Sequence, residues 1–326
     1  MVHMRRTGMK VLITGGYGFI GSHVAERFFN EGHEVFIIDN LSSGKKENVT
    51  FKHEHYRVSV IDSSCEQVFQ AYNFDIVVHL AAQVSVAKSI INPRLDTEIN
   101  TVGLVNMLSL SQKYNVKKFI FASSAAVYGM NEKIPLTEDI PCSPISPYGI
   151  SKWIGESYCQ KWKELYGLDS VVLRFSNVYG PRQSNEGEGG VVSIFLDRLL
   201  KEKPLEVFGD GEQTRDFIYV ADVADAIYKA SYSNLTGIYN LSTQSECNLK
   251  NLIKLMANIH GDLQVTYSTA KQGDIYKSKL SNQKLRETLN WSPAFGMEKG
   301  IEQTYNWLVE TKTEKEEQKV LNPVLI

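Results

Sequence analysis

The sequence predicts an α/β protein in which a doubly wound parallel sheet is followed by a smaller C-terminal α/β lobe. Apolar segments suited to buried strands alternate with segments of helical period along the first half of the chain. A glycine-rich turn joins the first apolar segment to the first helical one. Repeated strand–helix–strand units build parallel sheets whose two faces are covered by helices. The order of these segments therefore predicts one open sheet with helices on both faces.

The first strand–helix–strand unit begins at residue 10, where KVLIT precedes GGYGFIG, SHVAERFFNEG and HEVFIID. Further buried strands are predicted at 75–80, 118–122 and 170–175, with helices at 98–114 and 147–166. The polar loop SNEGEGG interrupts the pattern after residue 180 and predicts the start of a second lobe. Residues 217–242 again show strand, helix and strand, which predicts a return to the main sheet.

These patterns divide the chain into two units. We expect a first domain over residues 9–175, with a return of the chain at 217–244. The second lobe is predicted from 176–216 and 245–310, and a charged tail from 311–326. Residues 1–8 contain two arginines but no following apolar core, so we exclude them from the fold as a leader or an appended segment.

The charge and the cysteine content exclude several classes of function. The chain carries 35 basic and 37 acidic side chains, and this balance provides no field that would attract a nucleic acid. The four cysteines are scattered without a C-x-x-C pair, which argues against a disulfide framework and a zinc site. Apolar runs stay well below the roughly 20 residues that cross a bilayer. We therefore expect a cytoplasmic protein without a metal and without a membrane or nucleic-acid partner.

The glycine turn has the spacing of a dinucleotide-binding site. Gly15, Gly18 and Gly21 lie between a strand and a helix, and Asp39 closes the next strand. Glycines permit a tight turn, the close approach of a pyrophosphate and close packing of helix on strand. An acid about 20 residues further on accepts hydrogen bonds from the adenosine ribose and repels a 2′-phosphate. The pattern predicts a Rossmann-type domain that binds NAD. Plain turn residues are the alternative for the glycines and for Asp39.

A second candidate site lies in SPYGISK, where Tyr148 and Lys152 are four residues apart and share a helix face. A phenol needs a nearby cation to ionise at neutral pH, and Lys152 would supply it. A surface contact between the two side chains is the alternative. Ser124 favours the catalytic interpretation, because it follows an apolar strand and strand ends in open parallel sheets face the ligand crevice. We predict that Ser124 hydrogen-bonds a substrate oxygen while Tyr148 moves its proton.

Several motifs follow one another along the chain: TGGYGFIGSH, DNLSSG, HLAAQ, SSAAVYG, YGISK, LRFSNVYGPRQ and FGDGEQTRDFIYVADVA. Together they resemble the extended short-chain dehydrogenase/reductase family, and within it the UDP-hexose 4-epimerases, over residues 10–307. The resemblance implies a Rossmann domain that holds NAD, a lobe that holds a UDP-sugar, and a homodimer formed through two helices of each subunit. It implies that Ser124, Tyr148 and Lys152 are the catalytic residues.

The resemblance also assigns binding residues by position. Cofactor contacts fall on Gly15, Gly18, Phe19, Ile20, Gly21, Asp39, Asn40, Ser43, Gly44, Leu80, Ala81, Ala82, Asn100, Tyr148 and Lys152. Substrate contacts fall on Ser124, Asn177, Arg215, Lys271, Asp274 and Ser278. Asn177 and Arg215 match positions that grip the diphosphate, for which a planar guanidinium is suited. An ion pair between Arg215 and Asp216 is the alternative.

The chain departs from the family pattern at several positions. Lys271 stands where a phosphate-binding arginine is usual, which keeps the charge but loses the guanidinium fork. Asn282 stands where an acid is common. An acid that bonds the adenine amino group is often found near residue 59, and here Ser59 and Asp62 are the candidates.

The residues after Ser124 discriminate between the reactions of related enzymes. The dehydratases and decarboxylases of this superfamily usually have threonine at this position and an acid beside it, whereas Ala125 and Ala126 follow here. The resemblance therefore implies reversible oxidation at C4 through a transient 4-keto sugar. Such a reaction interconverts UDP-glucose with UDP-galactose, or UDP-N-acetylglucosamine with UDP-N-acetylgalactosamine. A 4,6-dehydratase, a decarboxylase, a UDP-uronate epimerase and a non-catalytic NAD-binding regulator are the alternatives.

Ser278 bears on the breadth of the substrate range. In the family, a tyrosine at the matching position excludes an N-acetyl group at C2 of the sugar, and a small residue admits it. The resemblance therefore implies that N-acetylated UDP-hexoses are accepted. A loop serine without a role in selection is the alternative.

Overall fold

The computed structural model describes residues 8–131, 133–184, 190–270 and 275–321, and side chains up to residue 313. Its strands are β1 (Lys10–Thr14), β2 (Glu34–Ile38), β3 (Glu54–Tyr56), β4 (Ile76–His79), β5 (Lys118–Ser124), β6 (Ser170–Phe175), β7 (Asn177–Tyr179), β8 (Leu205–Phe208), β9 (Thr214–Arg215), β10 (Phe217–Tyr219), β11 (Gly237–Leu241), β12 (Cys247–Asn248) and β13 (Val265–Ser268). Its α-helices are α1 (Phe19–Asn30), α2 (Cys65–Ala71), α3 (Val86–Ile91), α4 (Pro93–Thr97), α5 (Gly103–Lys113), α6 (Pro147–Tyr166), α7 (Val191–Leu200), α8 (Val220–Tyr232), α9 (Leu249–His260), α10 (Gln283–Leu289) and α11 (Met297–Leu321).

The main sheet contains seven strands within the described residues, in the order β11-β6-β5-β4-β1-β2-β3. Each neighbouring pair in this sheet is parallel. The strand order reverses between β1 and β4, because the chain leaves β3 at one edge and returns to the other side of β1. Ligands of open parallel sheets bind at such a switch point, beyond the carboxyl ends of the strands.

Alternate residues of β1 face opposite layers of the molecule, as the two-residue period of a strand requires. Val11 and Ile13 belong to an apolar cluster with side chains of α1 and α8. Leu12 belongs to a second cluster with side chains of α2, α5 and α6. Helices therefore cover both faces of the sheet, and the α/β fold predicted from the sequence is confirmed.

A separate apolar cluster lies among the elements after β6. It joins α7 and α9 to β8, β10 and the start of α11. The strands here form two-stranded sheets, β10 with β7, β12 with β9 and β13 with β8. Within the returning segment 217–244, β11 pairs with β6 in the main sheet, whereas β10 pairs with β7. The division of the chain into two functional domains stays a prediction.

Two features of the fold were not foreseen. β3 is a three-residue strand at the edge of the main sheet, where EHY pairs with β2. The predicted helix over 98–114 contains a π-helical turn at Glu98–Val102 before α5. None of the described helices is both long enough and apolar enough to cross a membrane.

Candidate functional site

The glycine turn lies between β1 and α1, at the switch point of the sheet. A Cβ atom on Gly21 would stand 2.0 Å from the Gly15 carbonyl oxygen, so the helix packs on the turn only because residue 21 has no side chain. Gly18 caps α1 without a side-chain hydrogen bond, and the described first turn holds no acidic side chain. The N–H groups of this turn are therefore available to an anion, and the cradle fits the pyrophosphate of NAD.

Asp39 follows β2 and is buried beside the glycine turn. Its carboxylate accepts hydrogen bonds from the N–H groups of Tyr17 at 3.0 Å and Leu41 at 2.8 Å. A Cβ atom on Gly44 would stand 3.0 Å from Asp39 Oδ2, so the loop after β2 folds back over the carboxylate. Asp39 thus fixes this loop, which is the structural role that the alternative of a plain turn residue gives it. It also places an acid beside the pyrophosphate cradle.

Tyr148 and Lys152 lie on the first turns of α6. Ser146 caps this helix by accepting a hydrogen bond from the N–H of Gly149 at 3.1 Å. The Lys152 ammonium lies 5.8 Å from the centre of the Tyr148 ring and donates to the Ala122 carbonyl at 2.9 Å. Burial lowers the pKa of Lys152 to about 8, against the opposing attraction of Asp96. The predicted pair is thus close in space, and its cation is buried.

Ser124 is the last residue of β5, at the carboxyl edge of the sheet. Its Oγ accepts a hydrogen bond from the N–H of Ala126 at 3.1 Å. A Cβ atom on Gly149 would stand 2.7 Å from the Ala126 carbonyl oxygen, so the first turn of α6 packs directly on the turn after Ser124. Glycine at 149 therefore allows the start of α6 to pack closely on the turn that follows Ser124.

Asn100 is buried in the π-helical turn. Its side chain donates to the Gln83 carbonyl at 2.9 Å and to Asp96 at 3.0 Å, and it accepts from the Gln83 N–H at 2.8 Å. It also donates to Ser151, which precedes Lys152, at 3.2 Å. The predicted cofactor residue therefore ties the loop after β4 to α6, and π-helical turns are frequent at functional sites.

The other predicted cofactor residues line the same edge. Phe19 and Ile20 open α1 and are partly exposed, and Leu80, Ala81 and Ala82 follow β4. Asn40 and Ser43 are exposed in the loop after β2. The two candidates for the adenine contact touch each other, because the N–H of Ser59 donates to Asp62 Oδ2 at 3.1 Å.

The sequence interpretation missed Thr14 and His79, which end β1 and β4. The Thr14 hydroxyl hydrogen-bonds His79 Nδ1 at 2.8 Å and accepts from the N–H groups of Leu80 and Ala81, each at 3.2 Å. Burial and the neighbouring Lys152 charge lower the pKa of His79 to about 3. The signal was available, since both residues are polar and end apolar strands at the ligand edge.

A buried ion pair between Glu156 and Arg174 lies behind this edge and was also missed. Glu156 stands one turn beyond Lys152 on α6, and Arg174 is on β6. Ser123 donates to Glu156 at 2.5 Å, and Arg174 donates to the Tyr128 hydroxyl at 2.9 Å. The hydroxyl of Tyr128 in turn donates to Asn240 at 2.7 Å. The network therefore joins α6 to β5, β6 and β11, and it meets β5 at Ser123, which precedes Ser124.

The predicted substrate residues that the structure describes lie around β7, β9 and the segment before α10. Asn177 is exposed at the start of β7, Arg215 is partly buried on β9, and Ser278 is 8% exposed. Arg215 donates to the Thr214 carbonyl at 2.9 Å. Lys271 and Asp274 lie outside the described residues. Within the described residues, no three His, Cys, Asp or Glu side chains are grouped as metal ligands.

Comparison with known proteins decides the family. A model of the NAD dependent epimerase/dehydratase family matches residues 11–242. The chain belongs to this family. The resemblance to the epimerases of the extended short-chain dehydrogenase/reductase family is thereby confirmed. The prediction that the chain uses NAD as its cofactor is confirmed as well.

Several relatives of this epimerase/dehydratase family member act on UDP-sugars. A UDP-glucose 4-epimerase of Mycolicibacterium smegmatis is 36% identical over 91% of this chain and 97% of its own length. A UDP-glucose 4-epimerase from Thermotoga maritima, solved with UDP-glucose, is 41% identical, with a TM-score of 0.90 over 93% of this chain and 100% of its own. A UDP-N-acetylglucosamine 4-epimerase from Methanobrevibacter ruminantium, solved with UDP-N-acetylmuramic acid, is 33% identical, with a TM-score of 0.90 over 94% and 100%. More distant relatives include a UDP-glucuronic acid decarboxylase of Xenopus tropicalis, 30% identical over 91% of this chain and 72% of its own length.

Proposed function

We propose that this chain is an NAD-dependent UDP-hexose 4-epimerase. The observation that carries the proposal is the packing of the α6 turn bearing Tyr148 and Lys152 against the turn after Ser124. This contact lies at the same sheet edge as the glycine turn. Similarity to UDP-glucose and UDP-N-acetylglucosamine 4-epimerases over nearly the whole chain supports the proposal.

We assign the cofactor to the glycine turn of Gly15, Gly18 and Gly21, to Asp39 and to the loop after β4. The first turn of α1 would hold the pyrophosphate through its N–H groups, and Asp39 would accept hydrogen bonds from the ribose hydroxyls. NAD, when bound there, supplies a two-electron acceptor that is regenerated within each turnover, so the net reaction is an isomerisation. Asn100 holds the loop after β4 in place for this contact.

Tyr148 would accept the proton of the C4 hydroxyl and return it after the 4-keto sugar has turned in its pocket. The Lys152 ammonium, 5.8 Å from the Tyr148 ring, favours the ionised phenol by Coulomb attraction. Ser124 would donate a hydrogen bond to the substrate oxygen and so hold it within reach of Tyr148. Proton movement and substrate orientation are thereby divided between α6 and β5.

Ala125 and Ala126 argue against loss of water or of carbon dioxide. Both residues follow Ser124 on the turn that faces α6, and their methyl side chains neither donate nor accept a proton. A dehydratase needs an acid and a base near C5 and C6 of the sugar. Epimerisation at C4 needs only the proton carrier and the cofactor, which favours it over the dehydratase and decarboxylase alternatives.

We assign the UDP-sugar to the lobe formed by 176–216 and 245–310, and the cofactor to 9–175 with 217–244. Arg215 and Asn177 would hold the diphosphate. The family resemblance assigns Lys271 and Asp274 to substrate binding as well. The small side chain of Ser278, which is buried, would leave room for an N-acetyl group at C2, as the family resemblance implies. UDP-N-acetylglucosamine and UDP-N-acetylgalactosamine are therefore proposed substrates beside UDP-glucose and UDP-galactose.

We further propose a homodimer formed through α6 and the neighbouring α3–α5 region. Ile150, Trp153 and Ile154 are exposed on one face of α6, at the spacing of a helix stripe. Ile90 and Ile91 on α3, which packs beside α6, are also exposed. A second copy is the proposed occupant, because the family resemblance implies a dimer through two helices of each subunit. Exposed apolar faces of this kind mark contact surfaces.

The experiment that tests the function is incubation of the purified chain with separate UDP-hexoses, followed by chromatographic separation of C4 epimers. We expect UDP-glucose to yield UDP-galactose and UDP-N-acetylglucosamine to yield UDP-N-acetylgalactosamine. UDP-glucuronic acid serves as the test of the uronate alternative. A product lighter by water or carbon dioxide would identify a dehydratase or decarboxylase, and the absence of any product would favour a non-catalytic NAD-binding protein.

A further inference from the structure

Asp216 lies between β9 and β10, next to the segments that carry the residues proposed to bind the UDP-sugar. Its side chain is 0% exposed. It directly follows Arg215, which is assigned to the diphosphate. A carboxylate at such a depth is costly unless hydrogen-bond donors surround it.

Two loops from distant parts of the chain provide those donors. Oδ1 accepts from the N–H of Thr243 at 3.0 Å and from its hydroxyl at 2.8 Å. Oδ2 accepts from the N–H groups of Gln244 at 3.1 Å and Leu280 at 3.3 Å. Both carboxylate oxygens are therefore engaged. The alternative that Asp216 serves chiefly to neutralise Arg215 is not needed to explain its burial.

The bond to Leu280 fixes the segment that carries Ser278. The Ser242 hydroxyl donates to the Leu280 carbonyl at 3.1 Å, and Asn282 donates to the Ser242 carbonyl at 2.7 Å. The segment 278–282 is thereby fastened to the loop that also supplies Thr243 and Gln244. Asn282, one of the departures from the family pattern, is a structural member of this junction.

The backbone of Asp216 also fixes Asn177, another of the predicted substrate residues. Its carbonyl accepts a hydrogen bond from the N–H of Asn177 at 2.9 Å. This bond opens the parallel pairing of β7 with β10, in which Asn177 stands opposite Phe217. Arg215, Asn177 and the Ser278 segment, which come from separate parts of the sequence, are therefore all attached to one residue.

We propose that Asp216 is a positioning residue that holds the diphosphate-binding residues Arg215 and Asn177 in register with the sugar-side segment of Ser278. This inference rests on the proposed function, because it assigns the UDP-sugar to these three residues. Burial raises the pKa of Asp216 to about 6, and its hydrogen bonds oppose the rise, so the carboxylate is ionised at neutral pH. The charged form has lone pairs on both oxygens for all of these donors, whereas protonation would turn one oxygen into an O–H donor that faces them.

Asp216→Asn is the substitution that tests the proposal. The amide keeps the size of the side chain but replaces one acceptor oxygen with an NH₂ donor. That donor must face either the Thr243 donors or the N–H groups of Gln244 and Leu280. In the first orientation the 243–244 loop keeps only its Gln244 bond, and in the second the Leu280 segment loses its bond to residue 216. Either outcome loosens the junction between Arg215 and the Ser278 segment.

Asp222→Asn is the matched control. Asp222 on α8 is also buried, and its carboxylate accepts from the backbone N–H groups of Ala294 at 2.8 Å and Phe295 at 3.1 Å. It is thus a buried aspartate with a similar set of backbone donors, but it fastens none of the three substrate segments. Loss of stability alone would affect both variants, whereas loss of substrate positioning would affect only Asp216→Asn.

The measurement is calorimetric titration of the NAD-containing enzyme with UDP, together with steady-state kinetics on UDP-glucose. For Asp216→Asn we expect the UDP Kd and the KM to rise about tenfold or more, with a smaller change in kcat and unchanged NAD content. Asp222→Asn should bind UDP within about twofold of the unmodified chain. A folded Asp216→Asn variant with unaltered UDP Kd would overturn the inference.

Two further results separate this inference from the proposed function. Failure of the unmodified chain to bind UDP would overturn both, whereas normal epimerisation with an unaltered Asp216→Asn variant would overturn only this one. If Asp216→Asn does not fold, Thr243→Val removes a single donor from the carboxylate and should raise the UDP Kd about threefold. An unchanged Kd in that variant would also count against the role of Asp216.

Discussion

Glu156 and Arg174 form an ion pair whose side chains are only 2% and 4% exposed, with the closest N···O distance at 2.6 Å. Burial opposes the charge of Arg174, but hydrogen bonds and Coulomb attraction from Glu156 outweigh it and raise its pKa. The pair holds the helix of Tyr148 and Lys152 against the central strands. Removal of one partner would leave an uncompensated charge in the interior.

We therefore expect Glu156→Gln and Arg174→Met each to lower the free energy of unfolding by about 3–5 kcal/mol. The double variant Glu156→Leu with Arg174→Met should lower the free energy of unfolding by less than the sum of the two single changes, because no unpaired charge remains in the interior. Urea denaturation provides the measurement. Glu164→Gln, which breaks an exposed pair with Lys161, is the control and should cost less than about 1 kcal/mol. Single-variant costs equal to that of the control would contradict the prediction.

Tyr148→Phe should abolish most of the turnover while the enzyme keeps its cofactor. Removal of the phenolic hydroxyl leaves no group to carry the C4 proton, and general acid–base catalysis contributes about 10²–10⁴-fold in rate. Steady-state kinetics and the absorbance of bound NAD provide the two readouts. Tyr166→Phe removes a hydroxyl from an exposed tyrosine at the other end of the same helix and should leave kcat unchanged. Undiminished kcat in Tyr148→Phe would exclude Tyr148 as the proton carrier.

Ser278→Tyr should remove activity on N-acetylated UDP-hexoses selectively. The phenol ring would fill the space that the small buried serine is proposed to leave beside C2 of the sugar. Activity on UDP-glucose should persist, and Ser278→Ala should retain both activities. Relative kcat/KM values for UDP-glucose and UDP-N-acetylglucosamine measure the selectivity. Equal losses on the two sugars would contradict a role of Ser278 in substrate selection.

His79 should make the fold less stable in acid. Burial lowers the pKa of His79 to about 3, whereas the pKa of histidine in an unfolded chain is about 6.5. Between these values the unfolded chain binds the extra proton, so the free energy of unfolding falls as the pH falls from 6.5 towards 3. When the pH is lowered from 7 to 5, the free energy of unfolding should fall by roughly 2 kcal/mol less in His79→Gln than in the unmodified chain. Urea denaturation at both pH values tests this, and parallel losses would contradict it.

Trp153→Glu should shift the proposed dimer towards monomers. The substitution places a charge in the middle of the exposed stripe on α6, where a second copy would have to desolvate it. Light scattering coupled to size-exclusion chromatography reports the mass of the particle. Tyr267→Glu, at an exposed position on β13, is the control and should leave the mass unchanged. A monomeric unmodified chain would contradict the dimer.

The sequence was informative where a local pattern determines the structure. The helix predicted over 147–166 matches α6, because Ser146 and Pro147 start it and Gly167 ends it in a left-handed conformation. The bounds of β1 and β6 were also placed correctly, since apolar strands in a parallel sheet are buried on both faces. β5 continues two residues beyond the predicted 118–122 and ends at Ser124 itself. These boundaries suffice to bring Ser124, Tyr148 and Lys152 to one edge.

The remaining features depend on contacts between distant residues. Arg174 stands in the apolar strand SVVLRF, and no local pattern reveals that its partner is Glu156 on the preceding helix. The role of Asp216 requires a loop and a later segment to meet around its carboxylate. β3 has only three residues and takes its structure from pairing with β2 rather than from its own composition. Contacts of this kind, between residues far apart in the chain, produce no periodic pattern of apolar and polar residues that the sequence could reveal.

The close approach of Gly149 to the Ala126 carbonyl divides the site into positions that differ in their tolerance of change. A side chain at 149 would meet the Ala126 carbonyl, so the start of α6 could not pack on the turn after Ser124 without a shift of the backbone. Ala125 and Ser278, by contrast, are proposed to affect the reaction and the substrate range through their side chains alone. On that proposal, exchange of a few side chains would change the reaction or the substrate without any remodelling of the backbone that holds the cofactor.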